Sequence, residues 1–311
     1  DMMDIFILHP HKRITKIQRK QMTTVDSQNV FNIAIKGSFD DCQDLVKKLF
    51  SDTDLGRQKK LSSINSINWA RIIGQIPYYF YATAKLNLLD RGISFCVPSG
   101  NFGNAYACYV SKIIGLPVRK IIIGSNRNDV LTRFFTGGSL KLSNVVATLS
   151  PSMDIQISSN LERYLFEIFN RSGSKTAKNL ESLRMNGRIE ISKNNLLKIR
   201  KTFEAYKLDD NGTLQNIKKV YNDTGRIIDP HSSVGFYSAI EAGKKSSVPI
   251  VTLATAHPSK FPQAVRTAIK IKAKLPRNIS DSLERKEKYD ILPNDFDLVK
   301  NYISTKSSFG G

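Results

Sequence analysis

The segment Val97-Pro98-Ser99-Gly100-Asn101-Phe102-Gly103-Asn104 joins an apolar run, Ile93 to Val97, to a stretch that reads as a helix, Ala105 to Ile114. A strand, a tight glycine turn and a helix start, in that order, confine this part of the chain to a strand–turn–helix unit of an α/β sheet. Gly100 and Gly103 let the backbone approach an anion closely, and the first helical turn carries N–H groups with no intrahelical acceptor. Ser99, Asn101 and Asn104 can add donors or cap the helix. The spacing is neither the GxxxxGK[ST] of a nucleotide P-loop nor the GxGxxG of a dinucleotide fold. It reads either as a cradle for the phosphate of another ligand or as a helix entry with turn chemistry and no ligand.

Short apolar runs alternate with helical stretches along the rest of the chain, the pattern of a mostly parallel sheet covered by helices on both faces. Ile5–Leu8 is followed by a helix near Ile14–Thr23, then by Val30–Ile35. Ser38 is placed to cap a helix running to about Phe50, with Asp40 and Asp41 at its positive end. A longer helix is expected over Ser66–Lys85, kinked at Pro77. Gly115 and Pro117 stop the helix after the glycine turn, and the apolar run Val118–Ile123 comes next. Residues 158–221 read as almost wholly helical. A helix over Ser233–Ala242, a strand over Ile250–Thr255 and a loose tail from about Ser304 complete the reading. The expected division is 1–90, the remainder of a smaller α/β domain with the long helix; 91–303, a large domain with a helical insertion at about 158–221; and 304–311, a flexible tail.

At 311 residues the chain can bury a sizeable core. Cys42, Cys96 and Cys108 are odd in number and show no C-x-x-C spacing, so a reducing compartment without disulfides or zinc is expected. His9 and His11 could hold a metal or mark a solvated strand end. No apolar run of membrane-spanning length and no signal peptide is present in the sequence, and a soluble cytoplasmic protein without a membrane partner is expected. The formal net charge of +20 attracts polyanions. Between Arg171 and Val220, however, twelve Lys/Arg and five Asp/Glu are spread over helical segments without aromatic interleaving. Solvated helix faces account for this, and no specific nucleic-acid partner is expected.

Three separated segments, VPSGNFGN, NSINWARI at Asn65–Ile72 and TLATAHPSKFP at Thr252–Pro262, together closely resemble threonine synthase, a pyridoxal-phosphate enzyme family of the tryptophan-synthase-β-like fold. FDDCQDLV at Phe39, PSMDIQISSN at Pro151 and DPHSSVG at Asp229 support the match, which runs from Asp4 to about Ser304. The resemblance implies an α/β protein of pyridoxal-phosphate fold type II, with mostly parallel sheets flanked by helices. It implies conversion of O-phospho-L-homoserine and water to L-threonine and phosphate, with pyridoxal 5'-phosphate as cofactor.

Carried over residue by residue, the resemblance assigns the cofactor phosphate to Ser99, Gly100, Asn101, Phe102, Gly103 and Asn104, the last often aspartate in the family. Thr255 matches the hydroxyl residue facing the cofactor's pyridine nitrogen, where a neutral partner tunes rather than maximises electron withdrawal. Asn65, Ser66 and Arg71 match positions that bind the substrate phosphate, and a planar guanidinium suits a dianion. Asn68 could join them or simply make a helix-start hydrogen bond. Lys260 could serve substrate charge or be a solvated surface residue. His257 could also serve substrate charge or, like His231, be a satisfied structural histidine.

The family's Schiff-base lysine lies in a Lys-Asp segment, and no Lys-Asp dipeptide occurs in the sequence. The family's Asn-Gly-Asp-Thr-Gly loop is also missing, since Asn222-Asp223-Thr224-Gly225 falls at a different place in the pattern. Catalytic lysine and metal ligands are therefore assigned to no residue, and the chain, which starts at Asp1, is expected to lack the N-terminal part of a family member and to be inactive and poorly soluble alone. Monomer and homodimer stay equally open. A sister lyase such as a serine or threonine dehydratase would lack the NSIN…R motif, and a non-catalytic basic phosphate- or nucleic-acid-binding module would show steeply salt-dependent binding.

Overall fold

The computed structural model describes residues 3–14, 16–65, 68–276 and 280–308, the side chains of residues 39 and 40 excepted. Two compact units divide the chain, Asp1–Ser63 with Lys274–Gly311, and Ile64–Ala273. This differs from the boundaries at 90 and 303 expected from sequence. The long helix at Trp69–Lys85 packs against the helix at Gly103–Ile113 and so belongs to the second unit, while the C-terminal region packs with the N-terminal segment.

In the first unit, strands β1 (Ile5–Pro10) and β2 (Val30–Lys36) pair in parallel from Ile5↔Val30 to Pro10↔Ile35. Helix α1 (Lys16–Thr23) connects them, and α2 (Phe39–Ser51) comes after β2. Ser38 caps α2 as the sequence indicates. Asp41 N–H donates to Ser38 Oγ at 3.1 Å, and Ser38 N–H donates to the Asp41 carboxylate at 2.6 Å. A short helix, α3 (Thr53–Lys59), was not expected, although Asp52 gives the local signal by accepting from Leu55 N–H at 2.9 Å.

Ile33, Ile35, Leu45, Leu49 and Leu55 form the core of this unit with Val299 and Ile303, two residues from the far end of the chain. The tail expected from about Ser304 starts inside the last turn of a helix, and its residues 309–311 lie outside the described residues. Among the described residues, Phe296–Lys306 is helical and capped by Asp295, and Asp290–Pro293 adds a third parallel strand beside β2, with Ile33 opposite Asp290. The sequence signal was hidden because the strand is four residues long and its partner is remote.

The second unit holds α4 (Trp69–Lys85), β3 (Ile93–Pro98), α5 (Gly103–Ile113), β4 (Val118–Ser125) and α6 (Val130–Gly137). Strands β5 (Ser139–Lys141) and β6 (Arg188–Glu190) form a small antiparallel pair around α7 (Leu161–Ile168) and α8 (Gly173–Asn186). After α9 (Lys193–Thr202) come β7 (Phe203–Lys207), α10 (Asp210–Thr224), α11 (Pro230–Gly243), β8 (Ile250–Thr252) and α12 (Pro262–Ile269). The main sheet is parallel, in the order β7-β4-β3-β8.

Strands β6 and β7 interrupt the segment 158–221, which the sequence pattern gives as almost wholly helical. Phe203 and Ala205 face inward at period two while Glu204, Tyr206 and Lys207 are less buried, so the strand contributes only two core residues to any sequence window. The long helix starts at Trp69 rather than Ser66 and continues through Pro77. The strand expected over Ile250–Thr255 stops at Thr252. Since β4 and β7 lie on one side of β3 and β8 on the other, the connections reverse direction between β3 and β8. In parallel α/β sheets, ligands bind outside the carboxyl ends of the strands at such a reversal.

Candidate active site

Strand β3 is buried along its whole length and delivers the chain to Ser99 at the carboxyl edge of the sheet. There Phe102 takes a left-handed conformation, φ 62°, and α5 begins directly after it. The phenyl ring turns away from the loop into the core, stacked on Phe135 with ring centroids 5.4 Å apart. Phe102 therefore offers the loop its backbone only. No side chain caps α5, so the capping role open to Ser99, Asn101 and Asn104 is not used and the first-turn N–H groups are left for a ligand.

The glycines are needed for close approach. A Cβ on Gly100 would lie 2.7 Å from the Ser152 carbonyl oxygen, and one on Gly103 would lie 3.2 Å from Asn160 Nδ2. Residues 151–160 thus form the floor under the turn. Ser158 Oγ donates to the Gly100 carbonyl at 2.7 Å, and Asn160 N–H donates to the Asn101 carbonyl at 3.2 Å. Ser152 N–H donates to His231 Nε2 at 3.3 Å, which leaves Nδ1 protonated to donate to the fully buried Asp229 at 2.9 Å. The segments PSMDIQISSN and DPHSSVG are thereby explained as support for the turn, and His231 is a satisfied structural histidine.

A cavity of about 530 Å³ opens above the turn. Ser99 to Asn104 line it together with Asn65, Arg71 and Thr255, so residues from three distant segments converge as the sequence pattern requires. Arg71, at the start of α4, gives one guanidinium hydrogen bond to the Ile64 carbonyl, Nη1 to oxygen at 3.1 Å. Thr255 reaches the cavity from the loop beyond β8. Tyr79, fully buried on α4, donates to the carboxamide oxygen of Asn104, and its oxygen is 2.9 Å from the Asn104 carbonyl oxygen. Burial pushes the Tyr79 phenol well above its usual range, so it stays a neutral donor. The Asn104 NH₂ group is left for the cavity.

Other expected residues stand apart from this group. Asn68 caps α4, its Oδ1 accepting from Ala70 N–H at 2.9 Å, and is not on the cavity wall. Lys260 ends a short turn over Pro258–Lys260, beyond the wall, and His257 Nδ1 accepts from Ser259 N–H at 3.2 Å within the same turn. Ser66 lies outside the described residues. Sequence reading missed Gln75 and Tyr78, which line the cavity one and two turns along α4 from Arg71. The spacing 71, 75, 78 is one helix face and was the available signal. Among the described residues no cluster of three His, Cys, Asp or Glu could hold a metal, and no helix is long and apolar enough to cross a membrane.

A family model described as "Threonine synthase, C-terminal" matches residues 232–303. Threonine synthase of Pseudomonas aeruginosa is 42% identical over all of this chain and 66% of its own length. That of Saccharomyces cerevisiae is 37% identical over 97% of this chain and 64% of its own. The crystal structure of a PLP-bound threonine synthase from Brucella melitensis superposes with a TM-score of 0.93 at 43% identity, covering 99% of this chain and 66% of that one.

The chain belongs to the threonine synthase family. It spans just under two thirds of the length of these relatives. Its α/β fold with mostly parallel sheets is the fold type II of the family, as the resemblance implied. Within the threonine synthase pattern, the VPSGNFGN turn, Arg71 and Thr255 occupy one cavity rather than three unrelated places.

Proposed function

We propose that this chain carries the two phosphate sites of a threonine synthase that converts O-phospho-L-homoserine and water to L-threonine and phosphate. The observation that carries the reading is the single cavity in which an uncapped helix start, Gly100 and Gly103 face Arg71 and Asn65. Those residues fit pyridoxal 5'-phosphate. Backbone N–H groups of a helix start suit a phosphate dianion, and Ser99, Asn101 and Asn104 add neutral donors without adding a competing cation. When bound, the cofactor supplies an electron sink that acidifies the carbon-bound protons of an amino-acid substrate.

The residues of this chain bind and orient. Gly100 to Asn104 hold the cofactor phosphate through main-chain N–H groups. Thr255 presents a neutral hydroxyl for the ring nitrogen. Arg71, with Asn65 and Ser66, takes the substrate phosphate, and the Arg71 guanidinium makes the stronger, charge-assisted contacts. Asn68 holds the start of α4 that carries Arg71. Among the described residues no lysine lines the cavity. Three free, buried cysteines suit a cytoplasmic setting, and a small phosphorylated amino acid, not a nucleic acid, suits a cavity of this size.

The test is phosphate release from O-phospho-L-homoserine by the full-length gene product with added pyridoxal 5'-phosphate, with threonine measured in parallel. Stoichiometric threonine and phosphate are expected, with kcat/KM lowered about 100-fold or more by Arg71→Ala. Cofactor binding without any turnover of this substrate would overturn the proposal in favour of a sister lyase.

A further inference from the structure

Among the described residues, Gln75 is the cavity-wall residue with a buried polar atom that has no hydrogen-bond partner. Its Oε1 is shut off from solvent and has no partner, and the residue lines the cavity. A buried unpaired carbonyl oxygen is costly, and a glutamine on a helix has three torsions with which to relieve it. An oxygen left unpaired in this place marks a carboxamide whose hydrogen bonding a ligand in the cavity can complete.

Position defines what that carboxamide meets. Along α4, Arg71 and Gln75 are one turn apart on the same face, and Tyr79, one turn further, is hydrogen-bonded to Asn104 of the glycine turn. At 1.5 Å of rise per residue, Gln75 sits about 6 Å along the helix axis from each. It therefore stands between the residue that fits the substrate phosphate and the turn that fits the cofactor phosphate. A phosphate dianion has more acceptor sites than one guanidinium fills, and a neutral amide adds a donor without holding the product too tightly by charge.

We propose that Gln75 is a specificity-determining residue whose carboxamide donates to the phosphate of the phosphorylated amino-acid substrate, on the side facing the cofactor. The inference rests on the threonine synthase reading of the cavity. Gln75 then contributes to binding phosphorylated substrates and contributes nothing to binding the cofactor.

The test compares wild type with Gln75→Leu and Gln75→Glu in the full-length, cofactor-loaded protein. Trp69, the only tryptophan of this chain, is six residues from Gln75 on the same helix. Its fluorescence reports binding of O-phospho-L-homoserine and of inorganic phosphate alone, and cofactor affinity is read separately by absorbance titration. Thermal melting checks that each variant folds. The expected result for Gln75→Leu is a rise of about ten- to a hundredfold in Kd and KM for the phosphorylated substrate, the size of one hydrogen bond to a charged group, with cofactor affinity unchanged. Gln75→Glu places a carboxylate against the phosphate and is expected to be worse than the leucine variant, more so as salt is lowered.

Unchanged substrate and phosphate binding in Gln75→Leu would overturn this inference alone. Equal weakening of cofactor and substrate would also overturn it, in favour of a purely structural role. Failure of wild type to bind the phosphorylated amino acid would overturn this inference and the proposed function together.

Discussion

Replacing Gly100 with alanine puts a methyl group 2.7 Å from the carbonyl oxygen of Ser152 and 3.0 Å from both Met153 Cα and Ile155 Cδ1. Ordinary contact begins at 3.4 Å, so the turn and its floor must separate by about 0.7 Å. Two of the three obstructing atoms are main chain. The floor is tied down by the Ser152–His231 bond at 3.3 Å and the Ser158–Gly100 bond at 2.7 Å. Forcing such a contact costs about 1–3 kcal/mol. The same displacement moves the main-chain donors away from the position proposed for the cofactor phosphate, and losing one charge-assisted hydrogen bond costs about 1.5–3 kcal/mol, roughly ten- to 150-fold in affinity. Two alanine variants calibrate the effect. Gly103→Ala meets Asn160 Nδ2 at 3.2 Å and Ile72 at 3.4 Å and is expected to be milder, whereas Gly74→Ala in exposed α4 meets nothing within 4 Å and gains about 0.5–1 kcal/mol. Urea unfolding of each variant, with pyridoxal 5'-phosphate titrations followed by absorbance, gives both quantities. A Gly100→Ala protein as stable as wild type and with unchanged cofactor affinity would refute the reasoning, because the floor would then be shown to yield freely.

Tyr79→Phe removes the donor to Asn104 while keeping the ring packed edge-on to Phe95 at 4.8 Å. A loss of about 1–3 kcal/mol in urea unfolding and weaker cofactor binding are expected, and a variant that differs in neither would show that the Asn104 carboxamide needs no anchor. His9 supplies a pH dependence in the first unit. Burial, with Arg19 and His11 adding, holds its pKa below the usual imidazole value of 6.5 despite opposing effects of the Pro10 backbone and Glu287. The unfolded chain therefore binds the proton more readily. The stability from keeping His9 neutral is complete above pH 6.5 and is lost as pH falls below it. Melting temperatures between about pH 7.5 and pH 5.5 are expected to fall in wild type and to flatten in His9→Phe, and an equal slope in both would exclude His9 as the source.

How far the fold was legible depended on how local the deciding interaction is. The capping box of Ser38 and Asp41 spans three residues and was readable, as was the strand–turn–helix unit around Gly100. Strand β7 was not, because its identity comes from pairing Phe203 with Ile121 and Ala205 with Ile123 across a sheet, and its own composition is half charged or polar. The C-terminal strand escaped for the same reason, with Asp290 opposite Ile33. In the site, the motif residues were legible from resemblance, but Gln75 and Tyr79 needed the structure. Helix α4 presents Arg71 and Gln75 to the cavity and buries Tyr79 and Thr83 on a neighbouring stripe, and apolar periodicity alone does not say which stripe meets a ligand.

Thr255 and Lys260 show why proximity in sequence was a weaker guide than topology. They are five residues apart in one motif, yet only Thr255 lines the cavity. Strand β8 pairs with β3 from Ser94↔Ile250 to Cys96↔Thr252, so the chain leaving β8 crosses the carboxyl edge of the sheet beside the glycine turn that leaves β3. The same parallel register that places Thr255 there then lets the chain depart. His257 and Ser259 close a turn that starts α12 and carries Lys260 beyond the cavity wall. Residues more than 150 positions apart are brought together because β3 and β8 flank the point where the strand order reverses, while a near neighbour is removed by one turn of helix. The cavity is thus a property of strand order first and of motif second, and side chains on α4 reach it because that helix packs against α5, whose first turn lines the same cavity.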